Sequence, residues 1–344
     1  MIYCKRKPVS IAVIDNWISS TSLREKTRHD IQVIQIQVGK CMPQTDTSYS
    51  NSHGTICASI LAEALPEHIH LTGYSCPGDD GRPSLDGVCT ALETCLEKRP
   101  AYISMSIGSE NWLETSKLAE LTKKLAEAGT HIFAACANKG YIAFPAAYPW
   151  VTGVSYEPSI SGLYREENSP IGCNIVVGDF SSSVLDKMSV ENPFFECRTN
   201  SMAAPYALGR TVVGGISLSD LPMWAGTPNT DIPEELPMPV VAVTGPIESM
   251  KELLALFQRE SYQAALLTDQ AETDWVDMVL HVEAEGFAAW VRPLDKAGIL
   301  LLDADRTLRQ LNHFCDYTVD LRQLDAQKAF GGILRFFAPT ETKE

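Results

Sequence analysis

Four polar residues of this chain have the types and positions that amide hydrolysis requires. Asp15 ends the apolar run VSIAVI, and Asn138 follows the apolar run HIFAAC. His53 and Ser201 each stand at the start of an apolar run with helical spacing. Breaking an amide needs a hydroxyl nucleophile, a base, a carboxylate that orients the base and a donor for the oxyanion. Taken singly, each residue also fits a plain structural role as a helix cap, a turn residue or a strand end.

The stretch RTNSMAAPYALGR, residues 198–210, predicts a helix that begins near Ser201. Pro205 falls in what we expect to be the first turn, where proline is tolerated. A serine at a helix start lies beside unpaired backbone N–H groups and the positive end of the helix dipole, which favour an anion next to its oxygen. Alternatively, Asn200 or Ser201 caps the helix and does nothing else.

The elements that must position these residues alternate between strands and helices through residue 216. Continuous β-branched runs such as residues 9–14 predict strands buried on both faces, and apolar-periodic stretches such as residues 115–128 predict helices. This alternation is typical of an α/β fold with a doubly wound, mostly parallel sheet and helices on both faces. Asp15 would then lie at the carboxyl end of a strand, where open sheets place their sites.

Composition argues against several classes of protein. The 344 residues carry a net charge of −15, which disfavours binding to nucleic acid or to an anionic membrane surface. The ten cysteines form no CxxC pair or Cys/His cluster, so we expect no metal site, no cofactor and no disulfide framework. The sequence has no secretory apolar segment and no run of membrane-spanning length, which predicts a cytoplasmic protein.

The chain also divides by composition. Residues 1–218 hold the alternating strands and helices, and four prolines within residues 219–238 predict a linker. Residues 239–344 predict a small α+β domain, loosely of the split βαβ kind. One of its strands is expected over GFAAWVRP, residues 286–293.

Five blocks of the sequence together resemble the signatures of the subtilisin-like serine peptidases. They are VSIAVID, SHGTICASILA, SMSIG, AACANKG with FPAAYP, and TNSMAAP, and they follow the order and spacing of the family. The resemblance implies a subtilisin-like fold in which Ser201 is the nucleophile, His53 the general base and acid, and Asp15 the carboxylate that orients the imidazole. It also implies that Asn138 donates its side-chain amide to the oxyanion, together with the Ser201 backbone N–H.

The same resemblance implies how an extended peptide would bind. A strand edge would be formed by Ser106, Ile107 and Gly108, onto which the substrate adds through main-chain pairing. The pocket for the residue before the cut would be lined by Ala135, Cys136 and Ala137. Lys139, where the family often has an acidic or polar residue, would favour an acidic side chain near the cut.

Two loops depart from the family pattern. Asn16 and Trp17 follow Asp15, where Ser or Thr and then Gly are usual, which predicts a different loop beneath the triad. Thr199 and Asn200 replace the usual Gly-Thr before the nucleophile. The missing glycine predicts a less close approach of the backbone to the substrate at that point.

The sequence therefore predicts a serine endopeptidase of the intracellular type without a propeptide, because eight residues precede the first strand. We expect restricted peptide or protein substrates, such as a precursor peptide. The C-terminal module would recruit a peptide, mediate homo-oligomerisation or cover the cleft; alternatively, it only caps the apolar surface of the catalytic domain. Two alternatives remain open. A transamidating peptide macrocyclase or ligase is disfavoured because no large insertion follows His53. A catalytically silent peptide-binding module finds its best support in Thr199 and Asn200, but the four intact catalytic positions weigh against it: Asp15, His53, Asn138 and Ser201.

Overall fold

A computed structural model describes residues 9–27, 31–37, 40–43, 51–78, 81–191, 198–226, 232–233 and 235–338. The chain forms two compact units. Unit 1 comprises Met1–Glu110 and Thr115–Gly226, and unit 2 comprises Asn111–Glu114 and Thr227–Glu344. The division after Gly226 falls within the predicted 219–238 linker, of which residues 227–231 and 234 lie outside the described residues.

Unit 1 is built on a nine-stranded sheet. Its strands are β1 (Ser10–Asp15), β2 (Ile31–Gln37), β3 (Lys40–Pro43), β4 (His70–Ser75), β5 (Tyr102–Met105), β6 (His131–Ala135), β7 (Thr152–Ser161), β8 (Leu163–Arg165) and β9 (Cys173–Asp179). They lie in the order β3-β2-β4-β1-β5-β6-β7-β9-β8. The edge strands β3 and β8 pair antiparallel and the other pairings are parallel, which confirms the predicted α/β class with a mostly parallel sheet.

Helices cover both faces of this sheet. They are α1 (Ser20–Lys26), α2 (His53–Ala64), α3 (Leu85–Lys98), α4 (Ser116–Glu127), α5 (Ser183–Glu191) and α6 (Asn200–Gly214). α2 packs against α6, and α3 packs against α4. Ile11 and Val13 of β1 share one core cluster with α2 and α6, whereas Ala12 and Ile14 are equally buried but lie outside that cluster. Because successive side chains of a strand point to opposite faces, β1 is buried on both sides.

The contact between α2 and α6 is close because α6 carries a glycine where the helices cross. A Cβ atom added to Gly209 would lie 2.5 Å from the Cβ of Ala64 on α2. Real Cβ atoms do not approach so closely, so only a residue without a Cβ lets the two backbones come together here. The two helices thus pack as one layer.

Unit 1 extends beyond residue 218, where the sequence places its end. Leu221 is buried in the core cluster of α2 and α6. Met223 forms a parallel bridge with Arg165 of β8, and the ring of Trp224 contacts Tyr164 at 5.9 Å between centroids. The first part of the predicted linker is therefore packed onto the sheet through residue 226.

Unit 2 contains a second, five-stranded sheet. Its strands are β10 (Val240–Thr244), β11 (Ala264–Thr268), β12 (Val279–His281), β13 (Ile299–Asp303) and β14 (Tyr317–Asp320), and its helices are α7 (Ile247–Arg259), α8 (Ala288–Val291) and α9 (Ala326–Phe337). The strand order is β12-β11-β13-β10-β14, and every pairing is parallel. α7 and α9 pack together in the core cluster on one face.

This arrangement corrects two expectations for the C-terminal module. The unit β10-α7-β11 is indeed split, because β13 lies between its two strands, but the inserted strand is parallel and the module is α/β rather than α+β. Residues 286–293 form no strand and include α8 instead. Phe287, Ala288 and Val291 are buried at helical spacing, so the alanine-rich run buries one helical face rather than alternating positions.

Eight of the ten cysteines lie in the described part of the chain, and all eight are free thiols. Six of them are buried, as expected of small apolar core residues. Within the described ranges, no helix has both the length and the apolar character needed to cross a membrane.

Candidate active site

Asp15 and His53 meet at the carboxyl end of β1. Asp15 is the last residue of β1 and is fully buried, and His53 is the first residue of α2. Asp15 Oδ1 accepts a hydrogen bond from the backbone N–H of Asn16 at 2.7 Å and lies 2.9 Å from His53 Nδ1. With its proton on Nδ1, facing the carboxylate, the neutral imidazole keeps Nε2 free as its basic nitrogen.

The loop that departs from the family pattern holds this pair in place. The side-chain oxygen of Asn16 accepts a hydrogen bond from the Gly54 N–H at 3.0 Å, and the Trp17 carbonyl accepts one from the Ser52 hydroxyl at 2.7 Å. A Cβ at Gly54 would lie 2.7 Å from the Trp17 carbonyl oxygen and 2.8 Å from the Asp15 Cβ. Glycine is therefore required for α2 to begin beside the carboxylate.

Two neighbours raise the pKa of His53. Cys57, one turn further along α2, and the Asp15 carboxylate both raise the pKa of the imidazole above its ordinary value, while burial acts in the opposite direction. The Asp15 contribution is the one a general base needs, because it stabilises the imidazolium that forms when His53 accepts a proton. Cys57 Sγ lies 3.9 Å from Nδ1 and 4.0 Å from Nε2.

Asp15, His53 and Cys57 are also a group of described residues that could in principle hold a metal ion, with potential ligand atoms within 4.8 Å of one another. The nearly equal distances from Sγ to the two ring nitrogens place the sulfur off the lone-pair direction of either. Nδ1 already contacts the carboxylate. This geometry favours a hydrogen-bonded carboxylate and imidazole over a shared metal centre.

Helix α6 begins slightly earlier than the sequence suggests. Thr199, with an extended backbone, is the N-cap, Asn200 is the first helical residue, and neither Asn200 nor Ser201 caps the helix. Pro205 therefore lies in the second turn rather than the first. Because proline has no N–H, the carbonyl of Ser201, four residues earlier, lacks its usual helical partner.

That carbonyl accepts side-chain donors instead. The Ser106 hydroxyl, just beyond the end of β5, donates to the Ser201 carbonyl at 2.7 Å. The Cys57 thiol of α2 donates to the same oxygen at 3.5 Å. The Ser201 carbonyl, which Pro205 leaves without a helical partner, is thus bonded both to the residue after β5 and to the helix that begins with His53. These two bonds hold the backbone of the candidate nucleophile in place.

Asn200 positions Asn138 and the chain just before it. The sequence singles out Asn200 only because it departs from the usual residues before the nucleophile. Its buried side chain donates to the carbonyls of Cys136 at 3.0 Å and Ala137 at 3.1 Å, and accepts from the Tyr156 N–H at 2.7 Å. Its backbone N–H donates to Asn138 Oδ1 at 3.0 Å, which leaves the Asn138 NH₂ group free to serve as a donor elsewhere. The threonine that is usual at this position has no side-chain amide and could not donate in this way to both carbonyls.

A recess of about 170 Å³ lies beside Ser201. It is lined by the predicted edge residues 106–108, the predicted pocket residues 135–137, Asn138 and Ser201. Glu110 and Ala143 also line it, and no motif in the sequence points to either residue. Glu110 lies just beyond the predicted edge, where the sequence pattern gave no signal. Lys139 is not among the described lining residues, so an influence of its charge on the pocket finds no support.

His53 and Ser201 both flank Cys57, whose Sγ is 4.0 Å from His53 Nε2 and 3.5 Å from the Ser201 carbonyl oxygen. Among the hydrogen bonds of the described residues, none joins the Ser201 hydroxyl to the imidazole. Bonds between a nucleophile and its base are often long without substrate and shorten only when the complex forms. The four residues singled out by the sequence therefore lie together at one edge of the sheet.

The sequence matches no protein-family model and no curated protein. Among solved structures, it is similar to a lanthipeptide protease, with 14% identity, coverage of 59% of this chain and 71% of that chain, and a TM-score of 0.42. It is similar to a cold-adapted subtilisin-like serine proteinase, with 15% identity, 62% and 78% coverage, and a TM-score of 0.39. It is also similar to the epidermin leader peptide processing serine protease EpiP from Staphylococcus aureus, with 16% identity, 61% and 66% coverage, and a TM-score of 0.44.

Proposed function

We propose that the protein is a serine endopeptidase that cuts peptide or protein substrates through a triad of Asp15, His53 and Ser201. The observation that carries this proposal is the 2.9 Å contact between the buried Asp15 carboxylate and His53 Nδ1. It lies at the same sheet edge where Ser201 and Asn138 line one recess. A buried carboxylate that orients an imidazole beside a serine is the arrangement that activates a hydroxyl for acyl transfer.

In the first half of the reaction, His53 Nε2 takes the proton of the Ser201 hydroxyl as the oxygen bonds to the carbonyl carbon of the scissile amide. Asp15 stabilises the imidazolium without becoming protonated itself. The tetrahedral intermediate collapses as the C–N bond breaks, and the proton on Nε2 passes to the leaving amine. In the second half, water attacks the acyl-enzyme with His53 again as the base, and the acid product and Ser201 are released.

Two donors would stabilise the oxyanion, the Asn138 side-chain amide and the Ser201 backbone N–H. Asn138 is oriented by the Asn200 N–H on its oxygen, which leaves its NH₂ group for the developing charge. The Ser201 backbone N–H, in the first turn of α6, has no intrahelical partner and is the second donor. Loss of one such donor typically lowers turnover by about 100-fold to 1,000-fold.

An extended peptide would pair with the chain just beyond β5. Among the described residues, the backbone groups of Ile107 and Gly108 make no hydrogen bond to another backbone group. They are thus available to pair with a substrate strand, which binds a peptide through its main chain and leaves selectivity to the side-chain pockets. The residue before the cut would enter the recess lined by residues 135–137.

We further propose that residues 1–218 include all the catalytic groups and that the module from residue 239 onward restricts the substrates, by recruiting a peptide or by dimerisation. A precursor peptide that is cut once is the type of substrate that fits such restriction. The 219–238 segment would then serve as the connection, with its first residues packed on unit 1.

The test is intact-mass analysis after treatment with a fluorophosphonate, which reacts only with an activated serine. We expect one adduct on the wild type and none on Ser201→Ala or His53→Ala, because loss of either group lowers turnover of such triads by about a millionfold. Ser159→Ala changes an exposed serine of β7 and is the matched control, which should label like the wild type.

A well-folded wild type that forms no adduct would overturn the proposal and favour the silent peptide-binding module. If the wild type is labelled, the products formed from peptides should be analysed by mass. Hydrolysis adds a water molecule to the acyl fragment, whereas transamidation adds the incoming amine.

A further inference from the structure

We propose that Glu110 determines the side chain accepted before the scissile bond and that this enzyme selects arginine or lysine there. The inference rests on the proposed function, because it assigns the recess beside Ser201 as the site that receives that side chain. Glu110 belongs to unit 1, lies beyond the edge formed by residues 106–108 and lines the same recess as Ser201 and Asn138.

The walls of the recess leave room for a long side chain. Apart from Glu110 they are made largely of small residues, including Gly108, Ala135, Ala137 and Ala143. A Cβ on Gly108 would lie 3.0 Å from the Phe144 carbonyl oxygen, so the glycine lets the two backbone segments approach each other at this wall. The methylene groups of arginine or lysine can pack against small apolar walls while the charged end reaches a polar partner.

Glu110 supplies that partner. Among the described residues that line the recess, it carries the only side chain that is charged at neutral pH. Glu110 is half-buried, and its carboxylate has no hydrogen bond or ion pair with any other described residue. A carboxylate that is left unpaired inside a binding recess attracts a cation and repels an acidic side chain, and it gains strength as the substrate displaces water.

The remaining polar groups of the recess do not compete for this role. The Ser106 hydroxyl is committed to the Ser201 carbonyl at 2.7 Å. The Asn138 oxygen is committed to the Asn200 N–H at 3.0 Å, and its NH₂ group is assigned to the oxyanion in the proposed mechanism. The net charge of −15 adds a long-range attraction for basic peptides, which acts on the rate of encounter.

The experiment compares three peptidyl diphenyl phosphonates that are identical except for the side chain next to phosphorus, which mimics arginine, leucine or glutamate. These reagents bond covalently to an activated serine, so their inactivation rates report selectivity without a known substrate. We expect the wild type to react at least about 10-fold faster with the arginine reagent than with the leucine reagent, which corresponds to about 1.4 kcal/mol. The glutamate reagent should be the slowest.

Two variants and a control isolate the carboxylate. Glu110→Gln keeps the shape and should lower the arginine-to-leucine ratio by about 10-fold, and Glu110→Lys should make the glutamate reagent faster than the arginine reagent. Glu97→Gln removes an exposed carboxylate from the far end of α3 and should leave the ratio unchanged. The preference of the wild type should also weaken at high salt, because the attraction is electrostatic.

The proposal is overturned if the wild type reacts equally with the three reagents, or if Glu110→Gln keeps the wild-type ratio. A small fluorophosphonate, which places no side chain in the recess, separates this failure from failure of the proposed function. A wild type that forms the fluorophosphonate adduct but shows no basic preference contradicts the role of Glu110 alone. A wild type that forms no adduct contradicts the triad as well.

Discussion

The two units use the carboxyl ends of parallel strands in opposite ways. In unit 1, Asp15 at the end of β1 has one oxygen bonded to Asn16 and His53, whereas Oδ2 is buried without a partner among the described residues. In unit 2, Asp303 at the end of β13 is equally buried, but its Oδ2 accepts from the Thr268 hydroxyl at 2.6 Å and from Gln270 Nε2 at 2.7 Å.

The difference shows that a carboxylate at a strand end is not a site by itself. Both oxygens of Asp303 are used within unit 2, because the Asp305 N–H donates to Oδ1 at 3.1 Å. The neighbouring Asp305 carboxylate accepts from the Gly245 N–H at 2.6 Å. These contacts join the loops that follow the strands and occupy both oxygens of Asp303. Asp15 instead orients a group that can exchange a proton and that lies beside a recess.

We expect the largest effect in the labelling rate, which should depend on the Asp15 carboxylate but not on the Asp303 carboxylate. Asp15→Asn should slow reaction with a fluorophosphonate by about 10,000-fold, because a neutral amide does not stabilise the imidazolium that forms on His53. Asp303→Asn should leave that rate within twofold of the wild type. The second-order rate constants of labelling measure both. A folded Asp303→Asn protein that has lost its reactivity would contradict the division of roles.

Stability should show the reverse order. Asp303→Asn should lower the free energy of unfolding by about 2 kcal/mol, because its NH₂ group must face a buried donor whichever way the amide turns. Asp15→Asn should change it by less than about 1 kcal/mol, since the retained oxygen still accepts from the Asn16 N–H and Oδ2 has no bond to lose. Denaturant titration followed by circular dichroism measures both variants against the wild type. Equal losses of unfolding free energy in the two variants would contradict this order.

The smallest effect concerns pH. Cys57 and Asp15 raise the pKa of His53, so the protonated, inactive imidazole persists to higher pH than it would alone. Cys57→Ala removes one raising influence, so the pKa should fall and the acid limb of the labelling rate should move to lower pH. Cys41→Ala, an exposed thiol, is the control and should leave the profile in place. A limb that stays or moves to higher pH would show that Cys57 has no such influence.

Much of unit 1 follows from local sequence, because buried parallel strands leave continuous β-branched runs and helices begin where apolar spacing changes. Asp15, His53, Asn138 and Ser201 could be placed at strand ends and helix starts on that basis. Their meeting could be inferred only from the order of the blocks, since it depends on pairings between strands far apart in the chain.

Other features depend on contacts that no local pattern records. The role of Asn200 arises from carbonyls more than sixty residues away. Likewise, the parallel pairing of β11 with β12 could not be predicted, because no helix separates the two strands in the chain as a parallel crossover usually requires. Glu110 was missed for a similar reason, since its importance comes from the recess it lines.

The close packing at Gly209 constrains the position of the nucleophile, although Gly209 has no reactive side chain of its own. Eight positions along α6 separate it from Ser201, a rise of about 12 Å. A methyl group there would act as a wedge against Ala64 and would tilt the helix that carries the nucleophile away from the helix that carries the base. The alignment of the His53 and Ser201 side chains therefore depends on Gly209 having a hydrogen atom in place of a side chain, at the far end of the two packed helices.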